Sequence, residues 1–177
     1  MRKVITIFGS SIPVLGEEQY ENAYKLGCML ARNNFDLCTG GNRGIMEAVS
    51  KGAVENGAAA IGITVKGFFD THNSYLTEHM AFDSLFDRIN ALITRGDAYV
   101  ILQGGTGTLL ELAAVWEFMN KGFINEKPVA CHGKIWKPVI ESMEEQISLE
   151  RRKTGLVKYC TTIEECAEYI INGLKTT

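Results

Sequence analysis

The feature that most constrains the fold of this chain is a recurring unit: a β-rich apolar run, broken sharply by a glycine turn and followed by a helical pattern. It is clearest from Asp97 to Met119, DAYVILQGGTGTLLELAAVWEFM. The run AYVIL suits a strand covered on both faces, and Gln103, Gly104, Gly105, Thr106 and Gly107 then interrupt it before an almost wholly apolar helix. Glycines let the backbone approach a ligand closely, and a helix start offers unpaired N–H groups and the positive end of its dipole. Such a turn fits a phosphate, and the hydroxyls of Thr106 and Thr108 would add donors.

The unit occurs twice earlier. Lys3 to Phe8 reads as a central parallel strand ending at Gly9, Ser10 and Ser11, with a helix over Glu17 to Asn33; Phe35 to Cys38 is a strand leading through TGGNRG, with Gly40, Gly41 and Gly44, into a helix over Ile45 to Asn56. Ala58 to Val65 is a third strand, and Lys66 to Tyr75 is an aperiodic polar and aromatic loop long enough to cover a site. Leu76 to Phe82 forms a further strand. Asp83 to Arg95 is an amphipathic helix with Leu85, Ile89 and Leu92 on one side and Phe86 and Ile93 beside them. After the central unit come a strand over Lys127 to Cys131, a helix over Ile135 to Ile147, a charged turn over Ser148 to Gly155, a strand over Leu156 to Cys160 and a helix over Ile163 to Leu174. This alternation predicts a doubly wound, Rossmann-like α/β fold, a parallel sheet with helices on both faces and ligands at the carboxyl ends of the strands. All three glycine turns then fall on that one edge. No linker divides the 177 residues, so a single domain spanning 1–177 is expected, burying roughly 70% of its unfolded surface.

Composition removes several classes of function. A net charge of −3, from 18 basic and 21 acidic residues, leaves no basic footprint for nucleic acid. Five widely spaced cysteines, with no Cys-x-x-Cys pair, read as reduced core thiols. The start MRKVITIFGSS enters a strand directly, without the pattern of a signal peptide, and no run has membrane-spanning length, so a cytoplasmic protein with no membrane partner is expected. There is no P-loop, no G-x-S-x-G elbow and no zinc spacing among His72, His79 and His132, and leucine replaces the last glycine of a dinucleotide fingerprint at Leu110. No metal site is expected, and His72 and His79 read as ordinary loop or surface residues.

Two charged side chains stand out. Glu111, expected in the first turn of the central helix, fits either a capping box with Thr108 or a catalytic or sugar-binding carboxylate beside the phosphate turn. Arg88, three residues after Leu85 and four before Leu92, lies at the edge of an apolar arc, placing its guanidinium on a partly buried flank as a snorkelling residue, a structural ion pair or a functional cation.

The ordered segments FGSS, TGGNRGIMEA, LFDRI and QGGTGTLLE span most of the chain and resemble the Lonely Guy (LOG) family of phosphoribohydrolases. That family usually carries P-G-G-x-G-T-x-x-E, matched here from Gly104 to Glu111 with Gln103 in place of proline. Of its R-K pair, Arg88 is present and Ile89 stands in the lysine position, while Phe86 stands where histidine is common. The resemblance implies a small-molecule nucleotide substrate: cleavage of the N-glycosidic bond of a nucleoside 5′-monophosphate, of the AMP or cytokinin-nucleotide type, without metal or organic cofactor, by a homodimer. It assigns Arg88 and Glu111 to catalysis, Gly104, Gly105, Thr106, Gly107 and Thr108 to the phosphate, and Gly9, Ser10, Gly40, Gly41 and Gly44 to the rest of the pocket. Molybdenum-cofactor carriers resemble the same family, which leaves a non-catalytic binding protein as the alternative. A third reading is an enzyme for another phosphorylated ligand, with the loop from Lys66 to Tyr75 shaping the base pocket.

Overall fold

In the computed structural model, which describes residues 2–67 and 72–175, strands and helices alternate as the pattern requires. Their order is β1 (Val4–Phe8), α1 (Glu18–Arg32), β2 (Asp36–Thr39), α2 (Ile45–Glu55), β3 (Ala60–Val65), β4 (Glu78–Phe82), α3 (Leu85–Arg95), β5 (Ala98–Ile101), α4 (Thr106–Asn120), β6 (Val129–Cys131), α5 (Trp136–Leu149), β7 (Lys158–Tyr159) and α6 (Ile163–Lys175). The described strands form one sheet, ordered β4-β3-β2-β1-β5-β6-β7, and every pairing is parallel.

The core has two layers because both faces of the sheet are covered. Along β1, Ile5 and Ile7 pack with residues of α1, α2 and α6, while Val4 and Phe8 pack with residues of α3, α4 and α5. With both side-chain registers buried, the central strands read as near-continuous apolar runs rather than alternating ones. Asp97 secures the centre: its carboxylate accepts the Val4 N–H at 2.8 Å and its own N–H donates to the Val4 carbonyl at 2.7 Å. The edges differ. β4 is largely exposed, whereas β7 is two residues long, a common way of keeping a sheet edge from pairing with another chain.

Several expected boundaries move. The run 156–160 yields only the two-residue β7, and Leu156 and Val157 bury their side chains before it. α5 continues to Leu149, two residues past Ile147. On α3, Ile89, Leu92 and Ile93 are buried, but Leu85 is 43% and Phe86 74% exposed. These two lie in the first turn, where the helix reaches past the strand ends and the sheet no longer covers it. Of the loop expected over Lys66 to Tyr75, residues 68–71 lie outside the described residues.

The chain runs outward from β1 through β2, β3 and β4, then returns to add β5 on the other side of β1. That reversal separates the connections leaving β1 and β5, and doubly wound sheets bind ligands in the resulting crevice.

Candidate functional site

At the carboxyl edge of the sheet lies a cavity of about 460 Å³, walled by Gly9–Ser11, Gly40–Asn42, Thr64–Lys66 and Gly105–Thr108, with Arg88 and Glu111 on its lining. The volume suits a small molecule. All three glycine turns meet there.

The turn after β5 is held from both sides. Ser10 N–H donates to the Gln103 carbonyl at 3.0 Å, tying it to the turn after β1, and the Trp136 indole N–H donates to the Leu102 carbonyl at 2.9 Å. A proline at position 103 would offer the same carbonyl, so glutamine leaves this tie intact. Gly105 is the N-cap of α4 in extended conformation, and the first helical bond runs from Leu109 N–H to the Gly105 carbonyl at 3.0 Å. The N–H groups of Thr106, Gly107 and Thr108 therefore have no acceptor within the helix, and they stand at its positive end.

The helix begins two residues before Thr108, which corrects two expectations. Thr108 is inside the first turn rather than at the cap, and Gly105 provides no side chain, so the capping box does not form. Glu111 consequently sits in the second turn, with 8% of its surface exposed. There it meets Arg88, whose Nη1 donates to Glu111 Oε1 at 3.1 Å and whose Nε donates to the Ile63 carbonyl at 2.9 Å. The guanidinium thus bridges the end of β3 and the wall of α4. Gly40 makes room for it, since a β-carbon there would overlap the guanidinium and crowd Met46. Burial raises the Glu111 carboxyl from its ordinary 4.5 to about 7, against the opposing pull of Arg88. A carboxyl so poised exchanges a proton near neutral pH.

The SLOG cluster4 family profile matches residues 2–166. The chain belongs to this family. Among relatives of this SLOG protein, it is 26% identical over 147 residues to a cytokinin riboside 5′-monophosphate phosphoribohydrolase of Rhodococcoides fascians, covering 80% of the chain and 74% of the relative. It is 32% identical over 131 residues to an Arabidopsis thaliana protein of the same name, covering 72% of the chain and 60% of the relative. The LOG resemblance of its motifs is thereby borne out. In fold it is similar to the molybdenum-cofactor carrier protein of Chlamydomonas reinhardtii, with a TM-score of 0.77 at 23% identity over 99% of both chains.

Within this SLOG site, Gly9, Ser10, Gly40, Gly41, Gly105, Thr106, Gly107, Thr108, Arg88 and Glu111 all line the cavity. Gly44 and Gly104 stand behind it. Gly44 caps α2 at φ +66°, where a β-carbon would strike the Ser10 carbonyl, and Gly104 packs on the Thr108 side chain. Their work is to shape the turns. Sequence reasoning missed Thr64, His79 and Ala81, which line the β3 and β4 end of the same cavity beside His72, a residue of the loop expected to cover the site. The histidines belong to different segments, seven residues apart, so no local spacing announces their meeting.

Among the described residues, no group of three or more His, Cys, Asp or Glu side chains is arranged to hold a metal, and no helix is long and apolar enough to cross a membrane.

Proposed function

We propose that this protein hydrolyses the N-glycosidic bond of a nucleoside 5′-monophosphate, releasing the free base and ribose 5-phosphate. One observation carries the reading: a buried carboxyl poised near neutrality, held by an arginine, one turn beyond a helix start suited to phosphate. The 5′-phosphate takes the N–H groups of Thr106, Gly107 and Thr108 with the Thr106 and Thr108 hydroxyls, while the turns at Gly9, Ser10, Gly40 and Gly41 close around the rest of the nucleotide. Remote binding at the phosphate then sets the anomeric carbon against Glu111.

As the bond from C1′ to the base nitrogen breaks, its electron pair leaves with the base, and positive charge develops on the sugar ring. The Glu111 carboxylate stabilises that charge and accepts a proton from the water that adds to C1′. The proton taken up by Glu111 passes on to the departing nitrogen, so the hydroxyl of water ends on C1′, its proton ends on the base, and the products are neutral base and ribose 5-phosphate. Arg88 orients Glu111 and favours its ionised form.

The enzyme acts as a homodimer in the cytoplasm. Exposed apolar residues beside the cleft support the pairing: Phe86 on α3, with Leu109 and Leu110 on α4 at 41% and 39% exposure. Five free, buried cysteines accord with a reducing compartment.

The direct test is chromatography of AMP, GMP, CMP, UMP and IMP after incubation with purified protein. Release of base and ribose 5-phosphate from at least one of them is expected. Nucleotide or pterin binding with no release from any would replace this reading with that of a phosphorylated-ligand carrier.

A further inference from the structure

At the far side of the cavity from α4, the His72 and His79 rings lie 4.3 Å apart between centroids and within 19° of parallel. His79 has a hydrogen-bonding neighbour, and the backbone beside His72 is held. His79 stands on β4 in register with Gly62 of β3, and the Thr64 hydroxyl lies 2.9 Å from its Nε2. His72 precedes Asn73, which is buried and clamped to the second glycine turn: its N–H donates to the Gly41 carbonyl at 2.9 Å and its amide donates to the Asn42 carbonyl at 3.1 Å. The histidine stack is thus anchored to the same turn that shapes the nucleotide pocket.

Contacts order the cleft from end to end. Thr108 lies one turn from Glu111, Glu111 meets Arg88, Arg88 meets the Ile63 carbonyl, and the next residue, Thr64, meets His79. A nucleotide with its phosphate on α4 and its anomeric carbon beside Glu111 would have the histidine end of the same cavity available to its base. The stack itself presents a flat aromatic surface. Burial, then the neighbouring His72, lowers the His79 pKa, and the nearby Lys66 ammonium is engaged by Asp83 at 3.0 Å.

We propose that the His72–His79 pair reads the leaving base by stacking a planar heterocycle, so that this site prefers the larger face of a purine over a pyrimidine. The inference rests on the nucleotide reading of the cleft and adds its specificity element. Stacking of a base on an aromatic ring changes affinity by roughly tenfold or more.

The test is calorimetric binding of AMP, CMP and ribose 5-phosphate to Glu111→Gln protein, alone and combined with His72→Ala, His79→Ala or His79→Phe. The expected result is a roughly tenfold loss of AMP affinity in each alanine variant, recovery with phenylalanine, and unchanged affinity for ribose 5-phosphate, which has no base. Equal losses for AMP and ribose 5-phosphate, or unchanged AMP affinity, would overturn the inference. The two readings fail separately. Wild-type turnover of AMP with an unaltered base preference in the histidine variants removes the stack's role alone. Absence of turnover, with AMP binding still dependent on the histidines, removes the hydrolase alone.

Discussion

The two ends of the cleft are built differently. At the β1 and β5 end, the turn is tied by backbone bonds to Ser10 and by the Trp136 indole, and the Arg88–Glu111 pair is buried, with side-chain exposures of 14% and 11%. At the β3 and β4 end, the lining belongs to an exposed edge strand and to the residues leading into it, with a surface pair from Lys66 to Asp83 at 59% and 84% exposure. A change in the buried half displaces close-packed neighbours and a charge that has little water to turn to. A change at the rim meets solvent. Under the proposed function, the difference would separate chemistry, fixed in the core-facing half, from substrate choice, carried by the half that can vary cheaply. It also accommodates the departures from the family pattern: Gln103 leaves the backbone tie in place, and Phe86 is displayed outside the buried part of α3.

Removal of Arg88 strikes the buried half hardest. Arg88→Ala leaves Glu111 without its cation, so its pKa moves further upward and less of it is ionised at pH 7; kcat falls by about 10³-fold. Lysine at the same position restores little, because it cannot serve the Ile63 carbonyl and Glu111 with a planar fork. Steady-state kinetics of both variants decide this, and near-wild-type activity in Arg88→Ala would remove the arginine from the reaction.

A subtler break is Gly40→Ala. The added methyl group displaces the guanidinium rather than the backbone, so kcat drops by about 10- to 100-fold while circular dichroism shows the native fold. A full loss of structure would instead mean that Gly40 serves packing.

The buried half also dictates opposite pH trends for stability and activity. Because Glu111 is raised from 4.5 to about 7, the folded protein binds that proton more tightly than the unfolded chain does. Stability contributed by this group therefore falls as pH rises from about 4.5 to 7. Activity needs the carboxylate, so kcat/KM rises with pH, with a midpoint near 7. Denaturation midpoints and pH–rate profiles test the two limbs, and Glu111→Gln flattens the stability slope. The smallest effect belongs to the rim: Lys66→Ala removes an exposed ion pair and changes stability by less than about 0.5 kcal/mol in thermal or denaturant unfolding.

Much of this was legible in the sequence because the relevant signals are local. Apolar runs ended by Gly9, Gly40 and Gly104 state the strand–turn–helix unit directly, and the parallel topology follows from repeating it. The state of Glu111 was not legible, since the spacing from Thr108 fits a cap as well as a site. Only the true start of α4 at Thr106 removes the cap. The histidine stack escaped for another reason. It depends on Asn73 fastening one segment to Gly41 and on the register of β4 against β3, both contacts between distant parts of the chain.

The central claim, that Glu111 performs chemistry rather than supporting the fold, is tested most directly by measuring AMP cleavage and AMP binding side by side in wild-type and Glu111→Gln protein. Cleavage by the variant is expected to fall by about 10³-fold or more, with binding retained and the fold no less stable at pH 7. Cleavage at the wild-type rate would contradict it and leave Glu111 a structural partner of Arg88.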